Sequence, residues 1–426
     1  MRVEIGRAER LRGEVTPPPD KSISHRAVML SSIAKGTSVI RNLLRAGDTM
    51  STLNAMRALG VDIKDREEII IEGGGLYGLK EPSAPIDCGN SGTTMRLLSG
   101  ILSGNPFFSV LTGDESLRSR PMKRVVDPLR EMGARIMGRD EDRYPPLAIR
   151  GGALRPIRYE MPVASAQVKS AILLAGLYAE GETGVVEPVK SRDHTERMLP
   201  SYGADVRREG LVVSVKGPAE LRAHDIAVPG DFSSAAFFIV GALIVPGSEI
   251  LVKGVGLNPT RTGLLSALEK MGAEIKTENL KELSGEPVGD LYIKSAGGLK
   301  GIEITGETLP SLIDEFSVLC IAGAIAEGTT AIRGAGELRV KESDRVRAMS
   351  EGLKRMGADV EEHTDGLSIK GGSLKGAEVD SRGDHRIAMA FSIAGLIAKG
   401  KTTVRGAEAA NISFPGFYKI LEGLTR

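Results

Sequence analysis

Hydrophobic and polar positions along this chain switch repeatedly between two periods. An apolar run with helical spacing stops at a glycine, and a β-branched run with strand spacing follows. This happens six times: SIAKGTSVI, ILSGNPFFSV, LYAEGETGVV, LIVPGSEILV, AIAEGTTAIR and LIAKGKTTVR. The punctuating glycines are Gly36, Gly104, Gly181, Gly247, Gly328 and Gly400, spaced 66 to 81 residues apart. A second signature lies between them: ALGVDI, EMGARI, SYGADV, KMGAEI and RMGADV, with glycines at 60, 133, 203, 272 and 357. Each reads as a helix closed by Gly and followed by a strand. Self-similarity of this kind marks a repeated structural unit.

One unit reads as strand, loop, helix, Gly turn, strand, loop, second helix, Gly-Ala and a final strand or two. That is a βαβαββ pattern, and the right-handed crossover rule predicts parallel pairs within it. The chain has 426 residues, more than one ordinary core holds. The expected class is α/β (α+β), with two similar domains of three units each. GEVTPPPDKS and AHDIAVPGDFSS mark the two crossings. They delimit one domain at 17–229 and a second at 1–16 plus 230–426, to which the first strand, MRVEIG, returns. Two crossings without a flexible spacer predict a hinge between the halves.

Composition narrows the class. Hydrophobic residues make up 41% and charged residues 26%, as in globular proteins. No apolar run is long enough to span a membrane, and MRVEIGRAERLRGEV lacks the apolar core of a secretory signal. Cys88 and Cys320 are the only cysteines, in no metal-like spacing, which predicts a reduced, cytoplasmic protein. The five His are dispersed, so no metal is expected. A net charge of +1 and the absence of Trp argue against nucleic acid as a partner.

The repeats diverge in the loop before each first helix: PPPDKSISHR, IDCGNSGTTMR, MPVASAQVKS, VPGDFSSAAF, SLIDEFSVL and DSRGDHRIAM. Small and polar residues there suit helix capping. Capping does not account for Lys21, Arg26, Lys169 and Arg386, because cations are unfavourable beside a helix N-terminus. An anion held between them resolves the conflict. KSISHR offers a Lys, hydroxyls and an Arg for a carboxylate or phosphate. GNSGTTMR offers exposed amides, without the GK[ST] ending of a nucleotide loop. In LRSRPMKR, Arg120 precedes Pro121, a residue suited to the first turn of a helix, while Lys123 and Arg124 read as a solvated basic face. SAQVKS brings Ser165 and Gln167, LIDEF brings Asp314 and Glu315, RVKESDR brings Lys341, Glu342 and Arg345, and GDHR brings Asp384, His385 and Arg386. Acids in a site built for anions are costly unless they move protons, so Asp314 and Glu342 are the acid–base candidates.

These motifs, in this order, resemble the 5-enolpyruvylshikimate-3-phosphate synthase family, from Lys21 to Phe414-Pro415. The resemblance implies two domains of three βαβαββ units each, an inside-out α/β barrel arrangement, with helix N-termini facing a cleft between them. It implies transfer of the enolpyruvyl group of phosphoenolpyruvate to the 5-hydroxyl of shikimate 3-phosphate, by addition and elimination, with no metal or organic cofactor. Both substrates are small anions carrying roughly five to six negative charges together. By resemblance, shikimate 3-phosphate is held by Lys21, Ser22, Arg26, Ser165, Gln167, Asp314 and Lys341. Phosphoenolpyruvate is held by Lys21, Gly92, Arg120, Gln167, Arg345 and Arg386. Asp314 then takes the hydroxyl proton and Glu342 serves the methylene carbon, provided neither is silenced by a salt bridge. Ala166, Ser191, Arg192 and His385 are secondary candidates.

Two departures stand out. Ile412 occupies about the place where many relatives carry a Lys before Phe-Pro, and SRDH replaces the more usual Ser-Lys-Pro-Tyr segment. Gly92 keeps the small residue that leaves room for phosphoenolpyruvate, which implies inhibition by glyphosate. Two other readings compete. A UDP-N-acetylglucosamine enolpyruvyl transferase would commonly carry a reactive Cys in the loop that here reads GDESLRSRP. A non-catalytic protein binding anions or RNA ends would not need Asp314 and Glu342 together with Lys21. A monomer that closes on its ligands is expected.

Overall fold

The helices that follow the six divergent loops are buried on nearly every side. All of Phe232–Ile244 is buried, as is all of His385–Gly395 and almost all of Phe316–Ile325. A helix that is apolar all round needs neighbours all round, and these three pack on one another. In the other half, α1 (Lys21–Ile33) packs against α2 (Gly47–Ala58) and α3 (Gly92–Ser103), and α3 packs closely on the helix Ala166–Gly176. Gly100 permits that approach, since a Cβ there would lie 2.2 Å from the Ala171 carbonyl oxygen. The computed structural model describes residues 1–295, 297–306 and 308–426. Among the described residues, no helix is long and apolar enough to cross a membrane.

Five of the six helix starts carry a side-chain cap: Asp20, Ser91, Ser165, Asp231 and Asp384 each accept from a backbone N–H of the first turn. The helix Phe316–Ile325 starts at Glu315 without one. Pro121 does not open a helix as its position suggested. The next helix begins at Lys123 after Met122, so Pro121 precedes it.

The second-signature glycines all have positive φ, between 83° and 108°, where a side chain would be strained. In the first set Gly104 is the exception. It closes α3 with φ −88°, and it must be small because a Cβ would lie 2.2 Å from the Tyr178 ring.

Among the described residues the strands form six small sheets. In the second repeat, Ile86–Asp87 pairs in parallel with Phe108–Thr112, which pairs antiparallel with Tyr144–Arg150, which pairs antiparallel with Arg135–Gly138. The same order recurs from Arg158–Glu160 to Val212–Gly217 and from Glu303–Ile304 to Gly366–Lys370. This is the βαβαββ unit.

Two strands depart from chain order. Arg12–Val15, just before α1, pairs in parallel with Glu249–Gly256 and not with the strand that follows α1. That place is taken by Ile226–Ala227, parallel to Lys35–Arg41. The strand read ahead of α1 therefore belongs to another repeat's sheet. Arg2–Ile5 pairs antiparallel with Thr402–Arg405 in the sixth, three-stranded sheet.

The chain separates into two compact units. The first comprises Pro19–Val228 with the short hairpin tip Leu283–Glu286. The second comprises Met1–Pro18, Pro229–Glu282 and Pro287–Arg426. Each has its own large apolar core.

Candidate active site

In the first unit, the start of α3 gathers the candidates around Gly92. Arg96 follows Gly92 by one helical turn, and its Nη1 donates to Gln167 Oε1 at 2.7 Å. Gln167 Nε2 donates in turn to Thr93 Oγ1 at 2.9 Å. Arg120 Nη2 donates to Asn90 Oδ1 at 2.6 Å and to Ser116 Oγ at 3.1 Å, and its Nη1 donates to the Asn90 carbonyl at 3.2 Å. A Cβ on Gly92 would sit 2.7 Å from Arg96 Nη1 and 3.6 Å from Arg120 Nη1. Gly92, Arg120 and Gln167 are thus brought together with Arg96, a residue not among the sequence candidates. Its signal was present: Arg96 ends GNSGTTMR on the same face of the helix as Gly92.

Lys21 and Ser22 are the first two residues of α1, and Lys21 Nζ lies 3.2 Å from Asp48 Oδ2. Arg26 is buried and spends its guanidinium inside the protein. Nε donates to Thr195 Oγ1 at 2.7 Å, Nη2 to Ser170 Oγ at 2.8 Å, and Nη1 to the Ser22 carbonyl at 3.0 Å. Burial is the main reason its pKa falls to about 10, with Glu196 and Asp20 opposing. Ser165 caps the helix that Ala166 begins.

Lys169 is not left with an anion to find, contrary to the charge argument made from its loop. Fully buried, it lies 2.8 Å from Glu187 Oε2 and 2.6 Å from Glu196 Oε1, and it donates to the Ser191 carbonyl at 3.3 Å. Its counter-charges are internal. Burial raises the pKa of Glu196, and Lys169 works against that rise. Ser191 also donates to Glu187, through both its hydroxyl and its N–H. Arg192 beside it is half-buried.

In the second unit, Arg345 is the centre. It is buried, with Nε 2.8 Å from Asp384 Oδ2, Nη2 2.6 Å from Glu342 Oε2 and Nη1 3.5 Å from Asp314 Oδ1. Burial alone would lower its pKa; the three carboxylates outweigh that and raise it. Asp384 responds in the opposite sense. Burial would raise its pKa, yet Arg345 brings it below the ordinary value. Arg386 joins from the next helix start, with Nη1 donating to the Asp314 carbonyl at 2.9 Å and Nη2 3.3 Å from Asp314 Oδ2. Asp314, Glu342, Arg345 and Arg386 therefore meet in one cluster, with Asp384 as a fifth member. His385 is buried, its Nδ1 3.9 Å from Asp384 Oδ1. Lys341 is turned to Glu337, 3.8 Å away. Ile412 packs against the apolar core.

Asp314 and Glu342 are thus in salt bridges, which the sequence reading had expected them to avoid. The cause is Arg345. A buried guanidinium without counter-charge is costly, and these carboxylates supply it.

Similarity to known proteins extends over nearly the whole chain. The family model EPSP synthase (3-phosphoshikimate 1-carboxyvinyltransferase) matches residues 5–421. A 3-phosphoshikimate 1-carboxyvinyltransferase of Thermodesulfovibrio yellowstonii is 57% identical over 426 residues, covering 99% of each chain. One from Geotalea uraniireducens is 57% identical over 417 residues, covering 97% of each. The structure of EPSP synthase from Acinetobacter baumannii superposes with a TM-score of 0.89 at 48% identity, covering 99% of this chain and 98% of that one.

Proposed function

Since the chain belongs to the EPSP synthase (3-phosphoshikimate 1-carboxyvinyltransferase) family, we propose that it transfers the enolpyruvyl group of phosphoenolpyruvate to the 5-hydroxyl of shikimate 3-phosphate. The products are 5-enolpyruvylshikimate 3-phosphate and phosphate, in the service of aromatic amino-acid biosynthesis. The observation that carries this reading is the cluster around Arg345, where two arginines meet two carboxylates suited to proton transfer.

Lys21, Arg120, Arg345 and Arg386 bind the carboxylate and phosphate of phosphoenolpyruvate, with Gln167 and the amides after Gly92. Lys21, Ser22, Arg26, Ser165, Gln167, Asp314 and Lys341 serve shikimate 3-phosphate. When phosphoenolpyruvate brings its own anionic groups to Arg345 and Arg386, Asp314 and Glu342 are relieved as their counter-charges. A carboxylate that loses a cationic partner becomes a stronger base. Asp314 then takes the proton of the 5-hydroxyl as that oxygen attacks C2, and Glu342, which takes up a proton once its cation is withdrawn, delivers it to C3. Elimination returns the C3 proton to Glu342 and expels phosphate, which takes the proton held by Asp314. The enzyme works as a monomer in the cytoplasm, which sedimentation of the purified chain and fractionation of cells test.

The direct experiment is phosphate release. It is expected only when phosphoenolpyruvate and shikimate 3-phosphate are both present. Release no faster than with either substrate alone would remove the reading, and release supported by UDP-N-acetylglucosamine would move it to the sister activity.

A further inference from the structure

A buried relay of polar side chains runs through the first unit to the start of α3. His25 Nδ1 lies 2.6 Å from Thr52 Oγ1, Thr52 Oγ1 lies 2.7 Å from Thr94 Oγ1, and Thr94 Oγ1 donates to Ser91 Oγ at 2.8 Å. Ser91 Oγ also accepts from the Thr94 N–H at 3.1 Å. All four residues are buried. His25 Nε2 has no partner.

A hydroxyl has one hydrogen to give, and that fixes the direction of the relay. Thr94 spends its hydrogen on Ser91, so it must accept from Thr52. Thr52 has then spent its own and must accept from His25. The imidazole therefore carries its proton on Nδ1 and leaves Nε2 bare, in agreement with the unpartnered Nε2. The ring is neutral, because burial, then Lys21 and Arg26, hold its pKa well below the ordinary value. At the far end, Ser91 Oγ accepts twice within the relay, and its own hydrogen is spent on no other relay member. Ser91 is the residue immediately before Gly92, the first residue of α3.

We infer that His25 is a positioning residue which, through Thr52 and Thr94, orders Ser91 as a hydroxyl donor to the phosphoenolpyruvate anion at Gly92. This rests on the substrate assignment proposed above. In the opposite proton order Ser91 would donate back to Thr94, and the anion would lose a donor. Motif KSISHR thus serves motif GNSGTTMR from behind, through a histidine that no substrate touches.

Two measurements test this. The first reads the tautomer on the intact protein at neutral pH, from the ¹⁵N shifts of the His25 ring, assigned by their loss in His25→Asn. A protonated Nδ1 with a bare Nε2 is expected; a protonated Nε2 overturns the proposal, whatever the enzyme does. The second is kinetic. Thr52→Val keeps the shape and cuts the relay, and it should raise KM for phosphoenolpyruvate about ten-fold while KM for shikimate 3-phosphate stays within two-fold. Ser91→Ala should give the same rise, and the double variant no more than either, because they remove one donor. An unchanged KM in Thr52→Val, or additive effects in the double variant, overturns the proposal. Wild-type phosphate release in the same assay tests the substrate assignment separately, so the two failures are told apart.

Discussion

In the first unit the arginines at the helix starts donate to neutral oxygens: Arg96 to Gln167, Arg120 to Asn90 and Ser116, Arg26 to Thr195 and Ser170. In the second unit Arg345 and Arg386 meet the carboxylates of Asp314, Glu342 and Asp384. An amide or hydroxyl partner holds a guanidinium without itself adding a negative charge. An arginine held by carboxylates is already compensated, and it yields to an anion only by releasing an acid. The first arrangement suits capture and orientation; the second suits proton transfer. Two units built from the same repeat thus differ in the kind of partner given to these arginines.

The largest effect that sharpens this contrast comes from the second unit. Asp314→Asn and Glu342→Gln are each expected to lower kcat by about 100- to 10,000-fold, the usual range for a lost general acid or base. Both Michaelis constants should change far less, because each side chain keeps its shape. Steady-state phosphate release gives both quantities. Near-normal kcat in both variants would show that the carboxylates only neutralise Arg345.

Lys169 limits the contrast most, since it is a first-unit cation held by Glu187 and Glu196, as Lys21 is by Asp48. Its role is read here as structural. Lys169→Ala leaves two buried carboxylates without their cation and should cost about 3 to 5 kcal/mol of stability. Denaturant unfolding at neutral pH measures it. A loss of activity at unchanged stability would instead return Lys169 to the anion site.

Lys169 also shows how far sequence carries. The repeats, their glycines and their caps were legible because periodicity and turn chemistry are local. The motifs gave Gly92, Gln167, Arg345 and Arg386 their places at helix starts for the same reason. The fate of each cation was not legible. Lys169 lies early in its helix and Arg120 shortly before another, but Glu187 and Glu196 reach Lys169 from 18 and 27 residues away, across a strand and a turn. The exchange of Arg12–Val15 and Ile226–Ala227 between sheets was hidden likewise, because nothing in either short strand encodes its distant partner.

The buried setting of His25, with Lys21 and Arg26 beside it, has a consequence for acid stability. Burial, Lys21 and Arg26 depress its pKa, so the native state resists a proton that the unfolded chain accepts near pH 6.5. A basic group with a lowered native pKa leaves stability intact above its unfolded pKa and removes it as pH falls from there toward the native pKa. The expected slope is up to about 1.4 kcal/mol per pH unit below pH 6.5, until the native pKa is reached. His25→Asn lacks a titrating ring and should show a shallower acid-side loss by up to that amount in parallel denaturant titrations. Equal slopes would mean that burial, Lys21 and Arg26 together do not depress this ring's native pKa.

The smallest predicted change is at Gly92. A methyl group there meets Arg96 Nη1 at 2.7 Å and approaches Arg120 Nη1 at 3.6 Å. Both are ends of long side chains, so the helix need not move; the guanidiniums shift, and the space beside the first amides of α3 narrows. The cost lies at the low end of overpacking, about 1 kcal/mol, or roughly five-fold in affinity. Gly92→Ala should therefore raise KM for phosphoenolpyruvate by that factor or less, leave KM for shikimate 3-phosphate unchanged, and weaken competitive inhibition by glyphosate at least as much. The last comparison is the informative one. The two anions share a region but differ in length, so a methyl group that merely displaced Arg96 would weaken both equally. One that fills space used by the longer molecule would weaken glyphosate more. Equal loss for both would assign Gly92 to the arginines of the first unit; unequal loss would assign it to the shape of the site itself.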